Sequence, residues 1–317
     1  MRAAVVYNPV KIDLDAVRAV VDREQARAGW DPTLWFETSK EDPGRGPTLE
    51  AVAAGVDLVI AAGGDGTVRL VAEALAEHGL PLALLPSGTG NLLARNMDLT
   101  LDDVEHSVRT AFTGRGRPID LGHVEIRRPD GSVDQHAFLV MAGLGIDATM
   151  LAATDEDLKA KVGWLAYVKA IVAALRQTNT FRLQYRLDDG PLQRLRTHTV
   201  IVGNCGTLTG NILLLPDAAL DDGRFDVLLM SPEGLGHWLQ VLGKVFIENG
   251  IVRRTPLRHV IGRREITALN YVTAAAMSLA LPAARQVELD GDTLGEATGL
   301  HVRVLPGAVT IQVPAES

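Results

Sequence analysis

The sequence predicts an α/β domain followed by a β-rich domain with helical insertions, and three observations carry that expectation. Strand-like and helix-like runs alternate from the N-terminus to about residue 118. Beyond it, short β-type runs dominate. Two glycine-rich turns, at Gly63 and at Ser87, each separate a buried-type apolar run from residues that are apolar at helical spacing. Such alternation gives a parallel sheet covered by helices.

In order, the first domain (1–118) reads as a strand over 3–7, a helix from Asp13, a strand over 33–36, a helix near Leu49, a strand over 58–61, a helix from Thr67 and a strand over 82–85. The second (119–295) reads as strands over 138–141, 181–187, 197–202, 225–230, 265–267 and 286–289. Helical periodicity interrupts them over 162–175 and 235–247. Strands over 302–305 and 309–313, around a turn at Pro306 and Gly307, close the chain.

At 317 residues and 47% hydrophobic, the chain can bury two cores. A net charge of -8 argues against nucleic acid as the main partner. Cys205 is the only cysteine, which excludes an intrachain disulfide and a four-cysteine zinc site and fits a cytoplasmic setting. The N-terminus lacks a signal-peptide pattern, and the longest apolar stretch, 271–284, is interrupted and too short to span a bilayer. Membrane contact would therefore be peripheral, at the inner face. The eight histidines form no HExxH pair, and there is no GxSxG elbow, so zinc-hydrolase and esterase readings lack support.

The turn Gly63, Gly64, Asp65, Gly66, Thr67 points to phosphate. Glycine permits close backbone approach, and the first amides of the following helix, where Val68, Val71, Ala72 and Leu75 recur, attract anions. A carboxylate beside phosphates needs a cation between them, so Asp65 implies Mg²⁺. The plainer reading is a tight Gly-Asp turn, although a helix follows it where a hairpin would have a strand. Neither a P-loop ending nor GxGxxG is spelled there. The second turn, Pro86, Ser87, Gly88, Thr89, Gly90, Asn91, would line the same cleft, since ligands of open α/β sheets bind beyond the carboxyl ends of the strands. Alone, it reads equally as a helix-capping loop.

These turns, together with Asn8 and Pro9, the GLGIDA run over 143–148, the PDAALDDGRF run over 216–225 and LDGD over 289–292, resemble the diacylglycerol kinase catalytic-domain family, bacterial lipid kinases related to sphingosine and ceramide kinases. The resemblance covers nearly the whole chain. It implies an NAD kinase-like α/β nucleotide-binding domain and a β-sandwich lipid-binding domain, with 296–317 packing back on the first. It also implies an ATP site at Asn8, Thr38, Gly63, Gly64, Asp65, Gly66, Thr67, Val68, Arg69, Gly88, Thr89 and Asn91. A Mg²⁺ site would form at Asp222 with the carbonyls of Ala219 and Arg224. By residues alone, Asp221, Asp222 and Gly223 read as a turn.

The implied activity is ATP-dependent phosphorylation of a lipid hydroxyl, diacylglycerol first. An NAD kinase and a non-catalytic nucleotide- or lipid-binding protein are the alternatives. Asp292 is the expected base, Asp290 the second choice, and Asp65 a metal-binding or base-orienting group. A hairpin turn explains Asp290 and Gly291 as well, and both readings can hold. The sequence departs from the family pattern at Val10, Lys11 and Ile12, at Arg69 where Asn is common, and at Asp292 where the family has Glu. The Arg69 guanidinium either touches phosphate or is a solvated helix residue. Arg253, Arg254, Arg258, Arg263 and Arg264 form an acid-free run that either docks on an anionic bilayer or is a solvated face. The sequence admits a homodimer.

Overall fold

The computed structural model describes residues 1–145, 180–208, 212–230 and 269–315. The helices expected over 162–175 and 235–247, the strand over 265–267 and the arginines from Arg253 to Arg264 lie outside the described residues.

The first domain runs β1 (Arg2–Tyr7), α1 (Leu14–Ala28), β2 (Asp31–Glu37), α2 (Arg45–Ala53), β3 (Leu58–Gly63), α3 (Asp65–Leu75), β4 (Leu82–Pro86), α4 (Leu92–Asn96) and α5 (Val104–Thr113). Its strands are parallel, in the order β4-β3-β1-β2. Strand residues alternate between faces. Ala3, Val5 and Tyr7 therefore pack with Val17, Val21, Val108 and Phe112 from α1 and α5. Ala4 and Val6 pack on the other face with Ala51, Val71 and Leu75 from α2 and α3. α1 begins where the Asp13 carboxylate accepts the Ala16 N–H at 3.2 Å and stops at Gly29, φ 71°. The helix α5 was not anticipated from sequence, although Asp103 caps it by accepting the His106 N–H at 2.9 Å.

The second domain contains β5 (Arg115–Arg127), β6 (Val133–Phe138), β7 (Met141–Leu144), β8 (Phe181–Leu187), β9 (Gln193–Thr197), β10 (Thr199–Gly203), β11 (Thr207–Leu208), β12 (Ile212–Leu213), β13 (Phe225–Met230), β14 (Leu269–Ala274), β15 (Ala276–Leu289) and β16 (Asp292–Val313). Apolar faces of β5, β8, β15 and β16 meet those of β7, β10 and β13 across one core holding Phe138, Phe225, Val227, Leu289 and Val302. This is the β-sandwich. Burying a Phe or Leu side chain there contributes about 1.5–3 kcal/mol.

β16 stitches the two domains together. It pairs antiparallel with β15 and β5, and then parallel with β4 through Ile311 and Leu82. β5 crosses residue 118 and β16 crosses residue 296 without a break.

Three expectations are corrected. The strand expected over 138–141 is split, because Leu139 and Val140 turn their amides to the Asp290 carboxylate. The strand over 197–202 is broken at His198, where the Thr197 hydroxyl turns back to the Thr199 carbonyl at 2.8 Å. Pro306 and Gly307 do not reverse the chain. They form a bulge inside β16, where the pairing with β5 shifts between Leu305 and Val309. Gly307 lies at φ 60°, and its N–H donates to Asp120 Oδ1 at 2.8 Å.

Candidate active site

The parallel strands end in register: Tyr7 lies beside Ala62 and Glu37, and Gly63 beside Pro86. Asn8, Thr38, Gly64 and Ser87 thus leave the sheet along one edge, the edge at which α/β sheets bind ligands. Asn8 Oδ1 accepts the Val10 N–H at 3.1 Å, and the Thr38 N–H reaches Tyr7 O at 2.9 Å, with Thr38 buried. Val10 points outward, 84% exposed.

The two glycine-rich turns touch. A Cβ on Gly88 would lie 2.6 Å from Gly64 Cα, and one on Gly90 would lie 2.5 Å from Asp65 Oδ2. The Asn91 side chain closes the second turn on itself. Its Oδ1 accepts the Gly88 N–H at 3.0 Å and its Nδ2 donates to Gly88 O at 2.8 Å, with Asn91 at φ 46°. Arg95 Nε holds Gly90 O at 2.7 Å. Thr89 is exposed at the tip.

Asp65 opens α3 and ties the turns together by accepting the Leu92 N–H at 2.6 Å, the start of α4. Burial pushes its carboxyl pKa up. The Leu92 amide pulls it down, and the negative charge of Asp292 adds to the rise. Gly64, the N-cap of α3, offers no side chain to the first-turn amides, which leaves them for an anion. Thr67 is buried beneath them, with a Cβ on Gly63 meeting its side chain at 2.7 Å. This cradle of backbone amides and absent side chains fits a nucleotide phosphate.

The second domain delivers its carboxylates through a two-residue hairpin. Leu289 pairs with Asp292, and Asp290 and Gly291 turn the chain at φ 49° and 91°. Positive φ at both central residues defines a type I′ turn and explains the Asp-Gly pair. Its two acids face different surroundings. Asp290, 4% exposed, accepts the N–H groups of Leu139, Val140 and Met141 at 2.8–2.9 Å. Burial pushes it up to about 6, while the amides and the Arg69 charge pull the other way. Asp292 is 49% exposed and leans over the start of α3, where a Cβ on Gly66 would lie 2.6 Å from its Oδ2. Arg69 Nη2 donates to that Oδ2 at 3.1 Å. Arg69 is itself 4% exposed; among the described residues its buried Nε and Nη1 have no hydrogen-bond partner, and Nη1 faces Glu73 Oε2 at 4.0 Å. Of the two acids, Asp292 has the geometry of a proton acceptor at the cleft. Asp290 has that of a group that holds the hairpin.

The loop after β12 carries the acids of the expected Mg²⁺ site. Asp222 Oδ1 accepts the Arg224 N–H at 2.9 Å. Burial, and then the charges of Asp222 and Asp217, push the Asp226 carboxyl up to about 6. Among the described residues, no three His, Cys, Asp or Glu side chains are grouped to hold a metal. The donors on offer here are carboxylate and carbonyl oxygens, which suit Mg²⁺. A divalent cation would offset the crowding of negative charge at Asp226.

Several residues that build the site carry no motif. Asp120, 2% exposed, binds Gly223 N–H through Oδ2 at 2.7 Å and Gly307 N–H through Oδ1, joining the acidic loop to the β16 bulge. Asn96 bonds both the N–H and the carbonyl of Thr207, linking α4 to the second domain. Glu73 on α3 accepts the Ala137 N–H at 2.9 Å. Their only trace in sequence is a lone polar residue inside an apolar run.

Comparison with known proteins agrees with this architecture. A model of the diacylglycerol kinase catalytic domain matches residues 2–124, and one of the YegS C-terminal NAD kinase beta sandwich-like domain matches 140–313. A Pseudomonas aeruginosa protein named "Probable lipid kinase YegS-like" is 34% identical over 275 residues, 84% of this chain and 80% of its own. A "Diacylglycerol kinase" of Bacillus subtilis is 29% identical over 248 residues, 76% of this chain and 77% of its own. A crystal structure of a diacylglycerol kinase from Bacillus anthracis superposes with a TM-score of 0.67 at 21% identity, covering 98% of this chain and 96% of that one. Fold and site together define a two-domain kinase. The chain belongs to the YegS-like lipid kinases of the diacylglycerol kinase catalytic-domain family.

Proposed function

We propose that this lipid kinase transfers the γ-phosphoryl group of ATP to the hydroxyl of diacylglycerol, forming phosphatidic acid, with Asp292 as the base. The observation that carries this reading is the position of a half-exposed carboxylate over the N-terminus of α3. The free amides of that helix and the glycine cradle bind the phosphates. Phosphoryl transfer needs alignment, charge stabilisation and a group to take the alcohol proton. Asp292 takes that proton on its carboxylate. Arg69 orients Asp292 through its Nη2, and its positive charge at the start of α3 offsets negative charge there.

Asp65 and Asp290 are positioning groups in this reading: the first locks the two phosphate turns together, and the second fixes the hairpin against residues 139–141. Mg²⁺, when bound, neutralises phosphate charge at the cleft and the carboxylates around Asp222. The choice of diacylglycerol rests on the name of the Bacillus subtilis relative. The test is phosphate transfer from labelled ATP to diacylglycerol, sphingosine, ceramide, phosphatidylglycerol and NAD, with lipids in mixed micelles. Label in phosphatidic acid is the expected product. A preference for another lipid overturns the acceptor, and label in NADP alone overturns the lipid reading.

A further inference from the structure

The outer face of the β9-β8-β15-β16-β5 leaf carries a dense set of cations. Cross-strand partners share a face, as do residues two apart along a strand. Arg194 pairs with Gln184, Gln184 with Ala280, Ala280 with Gly299 and Gly299 with Arg127. The next row along runs Arg186, Ser278, His301, Glu125. Arg182 pairs with Arg196 on one side of these rows, and Arg303 with Ala276 and His123 on the other. The intervening residues Val124, Ile126, Leu183, Leu279, Leu300 and Val302 are all buried in the sandwich core, so the arginines point outward.

Six arginines thus occupy one sheet face of a protein whose net charge is -8. The paired rows contain a single carboxylate, Glu125. Asp188, beyond their end, is committed to the Ala275 and Ala276 amides and to Arg224. The contrast with other arginines is sharp. Arg23, Arg45, Arg109, Arg117 and Arg128 each sit in an ion pair. Arg127, Arg182, Arg186, Arg194 and Arg303 are exposed, and none has a carboxylate partner among the described residues. The crowding of positive charge also reaches His123, whose pKa is held down first by burial and next by Arg303. A concavity of about 440 Å³ opens at the centre of the face, lined by Arg127, Arg186, Ser278 and His301, with Ser278 Oγ 2.9 Å from His301 Nδ1.

We propose that this face is a docking surface for an anionic phospholipid membrane, with the central concavity receiving a lipid phosphate. A broad, shallow sheet face matches a plane of charge. Among the described residues it carries no exposed aromatic ring on which a base could stack, as sheet-based readers of single strands require. β15 and β16 run from Ser278 and His301 directly to the hairpin that carries Asp292. The face and the base are thereby carried on the same two strands. The purpose of docking rests on the lipid-kinase reading. The binding itself does not.

The test is sedimentation of the full chain, without nucleotide, on phosphatidylcholine vesicles with and without phosphatidylglycerol. It is done for the wild type, for the triple variant Arg127→Gln, Arg186→Gln, Arg303→Gln, and for the control Arg27→Gln, Arg117→Gln. Each arginine at an anionic surface is worth about fivefold in partition, so the triple variant should bind about 100-fold more weakly and the control like wild type. Binding should also fall steeply with salt, a readout that needs no variant. Equal binding to neutral and anionic vesicles overturns the proposal, as does unchanged binding by the triple variant. So does preferential capture of duplex DNA or heparin, or salt-sensitive self-association that the triple variant abolishes. Absence of anionic-vesicle binding by the wild type, with its kinase activity intact in detergent micelles, would overturn docking alone and leave the kinase reading standing.

Discussion

Arg69 and Asp292, 223 positions apart in the chain, meet at 3.1 Å, Nη2 to Oδ2, and join helix α3 to the hairpin of the opposite domain. One partner is buried and the other half-exposed. The same buried guanidinium turns its Nη1 to Glu73 Oε2 at 4.0 Å, so it is held from both sides. The long Arg side chain spans the gap to the short Asp.

Arg69→Met should lower kcat by about 10²-fold, the scale of loss when a reacting group is misplaced, because Asp292 loses the side chain that orients it. The loss should be far from additive with that of Asp292→Asn, because groups in contact act as a unit. Steady-state kinetics of both single variants and the double variant check this. Additive losses would separate the two residues functionally.

Asp290→Asn leaves at least one of the three amides of residues 139–141 facing an NH₂ group in place of an acceptor. A buried donor left unpaired costs about 1–3 kcal/mol. The melting temperature should drop, and kcat should drop with it as Asp292 loses its fixed position, while KM for ATP stays near the wild-type value. Thermal melts and kinetics on the same preparation provide the comparison.

Gly88→Ala places a Cβ 2.6 Å from Gly64 Cα, a backbone atom, and must push the two phosphate turns apart. Overpacking of this kind costs about 1–3 kcal/mol. We expect KM for ATP to rise about tenfold or more, with the acceptor KM unchanged. Nucleotide titration by fluorescence would reveal whether the turns tolerate it.

Asp226 sets a pH dependence. Its carboxyl is pushed from an ordinary 3.8 to about 6, so the folded state favours the protonated form. That contribution is fully present below pH 3.8 and is lost as pH rises through 6. Asp226→Asn should therefore be more stable than wild type at pH 8, by about 1–2 kcal/mol after discounting for partial solvation, with the gap closing toward pH 4. If the acidic loop holds Mg²⁺, adding it at pH 8 should raise the wild-type Tm, and Asp222→Asn should abolish that rise. Melts over this pH range, with Mg²⁺ and with chelator, settle both points.

The nucleotide half of the molecule was the more legible half in sequence. Its strands β1 and β3 are short continuous apolar runs buried on both faces, its first helix is bounded by Asp13 and Gly29, and its turns GGDGT and PSGTGN point to phosphate locally. What those turns do to each other was not legible. Asp65 binds the Leu92 amide, a contact across 27 positions that no spacing rule encodes.

The sandwich was harder to read because long-range pairing decides its breaks. Leu139 and Val140 look like strand residues until Asp290, about 150 positions away, takes their amides. Pro306 and Gly307 look like a reversal until Asp120 holds Gly307 inside one continuous strand. The Asp-Gly pair at 290–291 was legible as a turn, but only the fold divides its acids into one buried and one open.

The central claim is that Asp292 is the base of an ATP-dependent lipid kinase. The direct test is the rate of ³²P transfer from ATP to diacylglycerol in mixed micelles by wild type and by Asp292→Asn, with folding of the variant checked by thermal melt. Transfer by wild type and a loss of about 10²–10⁴-fold in the folded variant is the predicted result. A folded variant that transfers phosphate at the wild-type rate, or a wild-type protein that labels no lipid hydroxyl at all, would contradict it.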